Sequence, residues 1–165
     1  MDNTLGYELR NGGSIPSRGT NKGDDMSCFN VLRGERINGL LLGNDAWTLV
    51  FRTVDGKYFR FDTGNDCCNS VWFNHVNGVD ILGKGNSFDL LRGAQVLEVE
   101  AKDFERQSSE DDYEVVDDAF ITIRTDRGYI DLEVRNSHNG YYGGTIEYNS
   151  DGVGGLELQE VHEDF

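Results

Sequence analysis

The sequence predicts an all-β domain: two duplicated β-meander units forming a small barrel or sandwich, with at most one short helix. Three observations carry this. Twenty-one glycines and a single proline, Pro16, are scattered among short β-branched and aromatic runs, the composition of strands joined by tight turns. Those runs alternate with period 2, which gives each strand one apolar face. Two hairpins in the chain also look like copies of one unit. With 165 residues and 37% apolar content the chain can fill one core but hardly two.

Residues 1–30 read as a flexible N-terminal arm, whose Gly-, Ser- and Asn-rich stretch 11–25 has few core-forming side chains. A single β domain follows over 31–162. Repeat one, 31–70, begins at Leu32-Arg33-Gly34; Trp47, Leu49 and Phe51 then alternate with Thr48, Val50 and Arg52. Asp55-Gly56 interrupts with a residue that accepts positive φ, and Phe59 and Phe61 resume between Tyr58, Arg60 and Asp62, a hairpin signal. A connector, 71–89, carries Trp72, Phe73, Val76, Val79, Ile81 and Leu82 and suits a short helical turn and one strand. Repeat two, 90–144, begins at Leu91-Arg92-Gly93. Ala119, Ile121 and Ile123 form one apolar row, Asp126-Arg127-Gly128 turns, and Ile130, Leu132 and Val134 form the next. Residues 145–162 read as a closing hairpin with an acidic end in water.

The repeats align through their Leu-Arg-Gly triplets, through Arg52-Thr53 and Arg124-Thr125, and through Phe59 and Phe61 against Ile130 and Leu132. That is an internal duplication with a period of roughly 60–70 residues, in which each half covers the apolar face of the other. Repeat two has an added acidic segment, 103–118. Such a run repels itself and is expected as a solvated loop, or as a contact surface for a basic partner through Glu105, Glu110, Asp111, Asp112 and Glu114.

Lys plus Arg number 15 against 30 for Asp plus Glu, a net charge of −15. The chain lacks the positive field that direct nucleic-acid binding or an anionic membrane surface requires. No stretch approaches the ~20 apolar residues of a membrane span, and the start has no signal-peptide layout. Cys28, Cys67 and Cys68 are odd in number with two adjacent, so no secreted disulfide framework is expected and a reducing cytosol fits.

Two polar clusters follow the second strand of each hairpin: 62–69 in repeat one and 136–144 in repeat two. A pseudo-twofold would give them equivalent places lining one cleft. Candidate ligand-binding residues there are Asp66, Cys67, Cys68 and Asn69 with His138, Asn139, Tyr141 and Tyr142: polar groups and glycines where backbone can approach a ligand, and tyrosines that can stack. The same clusters also read as structural corners. Cys67 with His75 or His138 could form a thiolate pair, though neighbouring cysteines in a strand point to opposite faces. Adjacent cysteines lack the spacing of zinc folds, Asp151-Gly152 lacks the remaining ligands of a calcium loop, and no phosphate-loop, elbow-serine or zincin motif occurs. His162 reads as a solvated residue. No catalytic residue, metal or cofactor is assigned.

With Asp66-Cys67-Cys68-Asn69 and the segment Ser137-His138-Asn139-Gly140-Tyr141-Tyr142-Gly143-Gly144, the chain resembles a family of small domains of unknown function widespread in bacteriophage genomes. Supporting similarity lies in 90–100 and 123–134, and the resemblance covers 31–148. It implies a phage or prophage context and no mechanism. The expected function is a non-enzymatic accessory protein binding a host protein partner or a small signalling ligand to counter host defence, in the cytoplasm of the infected bacterium or in the virion. Alternatives are a structural or assembly component of the particle, an acidic mimic of DNA, and an enzyme working through Cys67 or His138. A homo-oligomer is compatible with each.

Overall fold

The computed structural model describes residues 27–43, 45–65, 67–82, 85, 87–106, 115–140 and 143–162. Nine strands lie among them: β1 (Arg36–Gly43), β2 (Thr48–Thr53), β3 (Tyr58–Thr63), β4 (Asn69–Asp80), β5 (Ala94–Arg106), β6 (Val115–Thr125), β7 (Gly128–His138), β8 (Ile146–Asn149) and β9 (Leu158–Val161). They form an antiparallel sheet in the spatial order β4-β7-β6-β5-β1-β2-β3-β8, with β9 added to β1. The fold is all-β as expected, and the sheet stays open. Helical structure among the described residues amounts to two 3₁₀ turns, Ser27–Leu32 and Phe88–Leu91, and no helix there is long and apolar enough to cross a membrane.

The hydrogen bonds relate the two halves reciprocally. Gly34 N–H donates to Val96 O at 2.8 Å, and Gly93 N–H donates to Ile37 O at 2.7 Å. Val54 N–H donates to Arg36 O, as Asp126 N–H donates to Gln95 O. Each pair exchanges the aligned residues of the two repeats, which is what a pseudo-twofold between β1 and β5 produces. The glycines of the two Leu-Arg-Gly triplets both need the left-handed region, at φ +86° and +81°. The turn threonines match as well: Thr53 Oγ1 accepts from Lys57 N–H and Thr125 Oγ1 from Gly128 N–H, each at 3.0 Å. The 3₁₀ turns extend the correspondence, since Phe29 and Leu32 in one and Phe88 and Leu91 in the other are all buried.

One core runs through both halves. Phe29 stacks on Phe61 with ring centroids 4.2 Å apart, Phe51 meets Phe61 edge-on, and the inward rows of β6 and β7, Ile121, Ile123, Ile130, Leu132 and Val134, complete it. The turn before β2 also reaches the far side of the core, where Ala46 O accepts from Phe73 N–H of β4 at 2.8 Å.

Two sequence expectations change within the β domain. The predicted closing hairpin does not form: β8 pairs with β3 and β9 pairs with β1. The cause lies in β1, whose edge opposite β2 is covered by β5 only at Arg36 and Ile37; β9 pairs with the backbone of Leu40 to Gly43, which would otherwise stand unpaired. The connector, by contrast, holds the strand and the short helical turn expected of it, as β4 and the 3₁₀ turn Phe88–Leu91; the apolar residues of β4 find the inner face beside β7. The acidic segment is not wholly a loop: β5 runs through Glu105 to Arg106 and β6 begins at Val115, so Asp117 and Asp118 are strand residues and Asp118 is buried by Arg135. Glu110, Asp111, Asp112 and Glu114, like residues 1–26 of the expected arm 1–30, lie outside the described residues; the last residues of that arm are not free but belong to the first 3₁₀ turn, because Phe29 is buried in the core.

Glu160 fastens β9. Arg92 Nη2 reaches its carboxylate at 2.8 Å and Arg52 Nη2 at 3.3 Å, and these guanidinium groups, Arg92 first, hold the carboxyl below the ordinary glutamate range. A depressed folded-state value means the stabilisation is full at neutral pH and is lost as pH falls through it. Glu160→Gln is expected to cost under about 1 kcal/mol globally, since the group is near solvent. The amides between 40 and 43 should nevertheless lose protection against hydrogen exchange, and acidification should lower that protection, taken relative to the intrinsic rate at each pH, in the parent but not in the variant. Unchanged exchange would mean that the strand is held by its ladder alone.

Candidate functional site

The pseudo-twofold does bring the two polar clusters together. Asn69, the first residue of β4, is paired with His138, the last of β7, and Asn69 Nδ2 donates to Asn136 Oδ1 at 3.3 Å. The first loop is laced by its own side chains: Asn65 accepts from Val71 N–H at 2.6 Å and donates to Val71 O at 3.1 Å. Gly64 N–H donates to Thr145 O, and a Cβ on Gly64 would meet Thr145 Oγ1, so a larger residue there would have to displace the threonine side chain. At the mouth of this corner, burial would raise the Asp62 carboxyl. Hydrogen bonds from Arg60, Asn149 and Thr48 outweigh that and hold it charged below the usual aspartate range.

Three of the predicted site residues, Cys67, Cys68 and His138, take roles other than those expected. Cys67 and Cys68 do not point to opposite faces; their sulfurs are joined as a vicinal disulfide. Alternation is a property of extended strands, and these residues sit in a bend between β3 and β4. Asn136 and His138 belong to β7 rather than to a loop, and both face inward: Asn136 is fully buried and the His138 side chain is 3% exposed. Gly140 N–H donates to His138 Nδ1 at 2.9 Å, which assigns the proton to Nε2, 2.6 Å from Asp117 Oδ2. Both ring nitrogens are therefore engaged, and the imidazole ties the end of β7 to β6. Asn139 is at the bend that follows, Cys28 Sγ lies 3.8 Å from Ile146 O nearby, and Asp66, Tyr141 and Tyr142 lie outside the described residues. Among the described residues no group of three or more His, Cys, Asp and Glu side chains is placed to hold a metal ion.

A second site, on the outer face of β4, β7 and β6, was not singled out in the sequence. A groove of about 350 Å³ is lined by His75 and Asn77 from β4, Asp131 and Glu133 from β7, and Phe120 and Thr122 from β6. A β-bulge at Asn74 builds its wall: Phe73 faces inward opposite Val134, the register then shifts, and His75 and Asn77 face Glu133 and Asp131. The signal was present, because the inward apolar residues Phe73 and Val76 are three apart where strict alternation requires an even spacing. Thr122 Oγ1 donates to Asp131 Oδ1 at 2.8 Å, and Glu133 accepts from Asn74 and Arg135. Asn77 Oδ1 is buried with no hydrogen-bond partner.

Comparison with known proteins places one family on this chain. A family described as a domain of unknown function, DUF7448, matches residues 32–148, the greater part of the sequence, and the chain belongs to it. No curated protein and no solved structure matches significantly.

Proposed function

We propose that this DUF7448 member is a non-enzymatic phage accessory protein that works by binding, and that its principal partner is a basic host protein whose defence role it counters in the cytoplasm of the infected bacterium. The observation that carries this reading is the charge of the outer face. Glu98 and Glu100 are exposed on β5, across β6 from Asp131 and Glu133 of β7, while the cations of this face are drawn into ion pairs: Arg124 to Glu100, Lys102 to Glu105, and Arg135 to Asp118 and Glu133. In a chain of net charge −15 such a face steers a positively charged surface toward it and repels nucleic acid. Stoichiometric inhibition requires a complementary surface and no reacting group. The phage setting rests on the resemblance of the paired Cys-Cys and Asn-Gly-Tyr-Tyr motifs. A small signalling ligand at the polar corner is the second reading, favoured by the adjacency of Asn69, Asn136 and Asn139.

Native mass spectrometry of the protein purified from its bacterial host, in low and in high salt, tests both. The expected result is a complex with a basic protein that dissociates as salt screens the interface. A bound nucleotide, lost on Asn139→Ala, would favour the corner instead; recovery of the bare protein under every condition would overturn the binding reading.

A further inference from the structure

The outer-face groove holds a more specific chemistry than negative charge. We propose that it is a socket for one guanidinium group, an arginine side chain presented by the basic partner. The proposal rests on the binding reading above and names its contact.

The protein holds one of its own arginines in the same manner one step along the same face. Arg135 places Nε 2.8 Å and Nη2 3.2 Å from the two oxygens of Asp118, and Nη2 3.3 Å from Glu133 Oε2, so its planar fork bridges carboxylates of two strands. The next step along β7 is Asp131, paired with Asn77 on one side and Thr122 on the other. Thr122 takes Oδ1 of Asp131, and no described donor reaches Oδ2. The second, independent observation is Asn77, which is one of the groove's lining residues and whose side-chain carbonyl oxygen is buried with no donor. A buried acceptor without a donor costs about 1–3 kcal/mol, a cost that a bound donor removes.

The donor demand selects the ligand. Asp131 and Glu133 lie two residues apart on one face of β7. Among the described residues no group of three or more His, Cys, Asp and Glu side chains is placed to hold a metal ion, whereas two carboxylates beside an amide oxygen suit a group with several donors. A guanidinium group presents five donors in a plane and can serve Asp131, Glu133 and Asn77 together. Phe120, 42% exposed on the adjacent strand, offers the aromatic face on which such a plane stacks, which an ammonium group exploits less well.

The probe is Nα-acetyl-arginine methylamide, titrated into the full-length protein and followed by amide chemical shifts, with the lysine and citrulline derivatives as comparators; citrulline has the same shape without the charge. Saturable shifts are expected at 77, 120, 122, 131 and 133, with citrulline weaker by about tenfold or more and lysine between them. Asp131→Asn should abolish saturation while the remaining spectrum is preserved, and Phe120→Ala, an exposed position, should weaken binding should Asp131→Asn fail to fold. Linear shifts of equal size for all three probes, or an unchanged response in both variants, would overturn the socket. A basic partner retained undiminished by both variants would also overturn it and leave the binding reading standing. Arginine binding in the groove with no partner recovered in any condition would support the socket and count against that reading.

Discussion

Replacing Phe61 with alanine is expected to lower the unfolding free energy by about 3–5 kcal/mol, the range for deleting a fully buried aromatic ring. Phe61 has no exposed surface, stacks on Phe29, meets Phe51 edge-on, and lies 5.7 Å from the Tyr148 ring. Its side chain thus joins the first 3₁₀ turn, β2, β3 and β8, elements drawn from both ends of the domain. A domain of this size is typically stable by about 5–15 kcal/mol, so the variant should unfold at a much lower denaturant concentration. Phe120→Ala, on the exposed face, serves as the control and should change stability by about 0.5 kcal/mol or less. A Phe61→Ala loss below about 1 kcal/mol would mean that the ring is not at the centre of the core.

Arg135→Met is expected to cost about 2–3 kcal/mol, for a different reason. It removes no core packing; it leaves the Asp118 carboxylate buried without its bidentate partner. The Arg135 side chain is 34% exposed, so water moderates the loss and the figure stays below that of a fully interior pair. The ion pair holds the guanidinium charge beyond the ordinary arginine range, chiefly through Asp118. Asp118→Asn combined with Arg135→Met should recover part of the loss, because an amide is less costly to bury than an unpaired carboxylate. Additive losses in that double-mutant cycle would show that the two side chains are not coupled.

Much of the architecture could be read from local pattern. The Asp55-Gly56 turn, the alternating rows of β3, β6 and β7, and the paired Leu-Arg-Gly triplets each describe a few neighbouring residues, and the structure keeps them; in β2 the row is broken, since Val50 is buried with Leu49 and Phe51 while Trp47 is exposed. The juxtaposition of the Cys-Cys and Asn-Gly corners followed from the duplication, since related halves place related loops together. The state of the residues at those corners did not follow. His138 reads as an available imidazole in a polar stretch, yet β7 continues through it, and its parity turns it inward onto Asp117. Cys67 and Cys68 read as alternating, yet a bend releases them from the strand rule.

By itself the sequence determined the all-β class, the doubling of the unit, the negative charge and the turns that glycine makes, because these depend on periodicity and composition within short stretches of chain. Only the tertiary structure decided that β8 and β9 separate to different partners and that Asn77 meets Asp131 in the wall of a groove. Those are questions of which edge lies open to which strand, and hydrogen bonds between residues far apart in the chain leave no periodic trace in it.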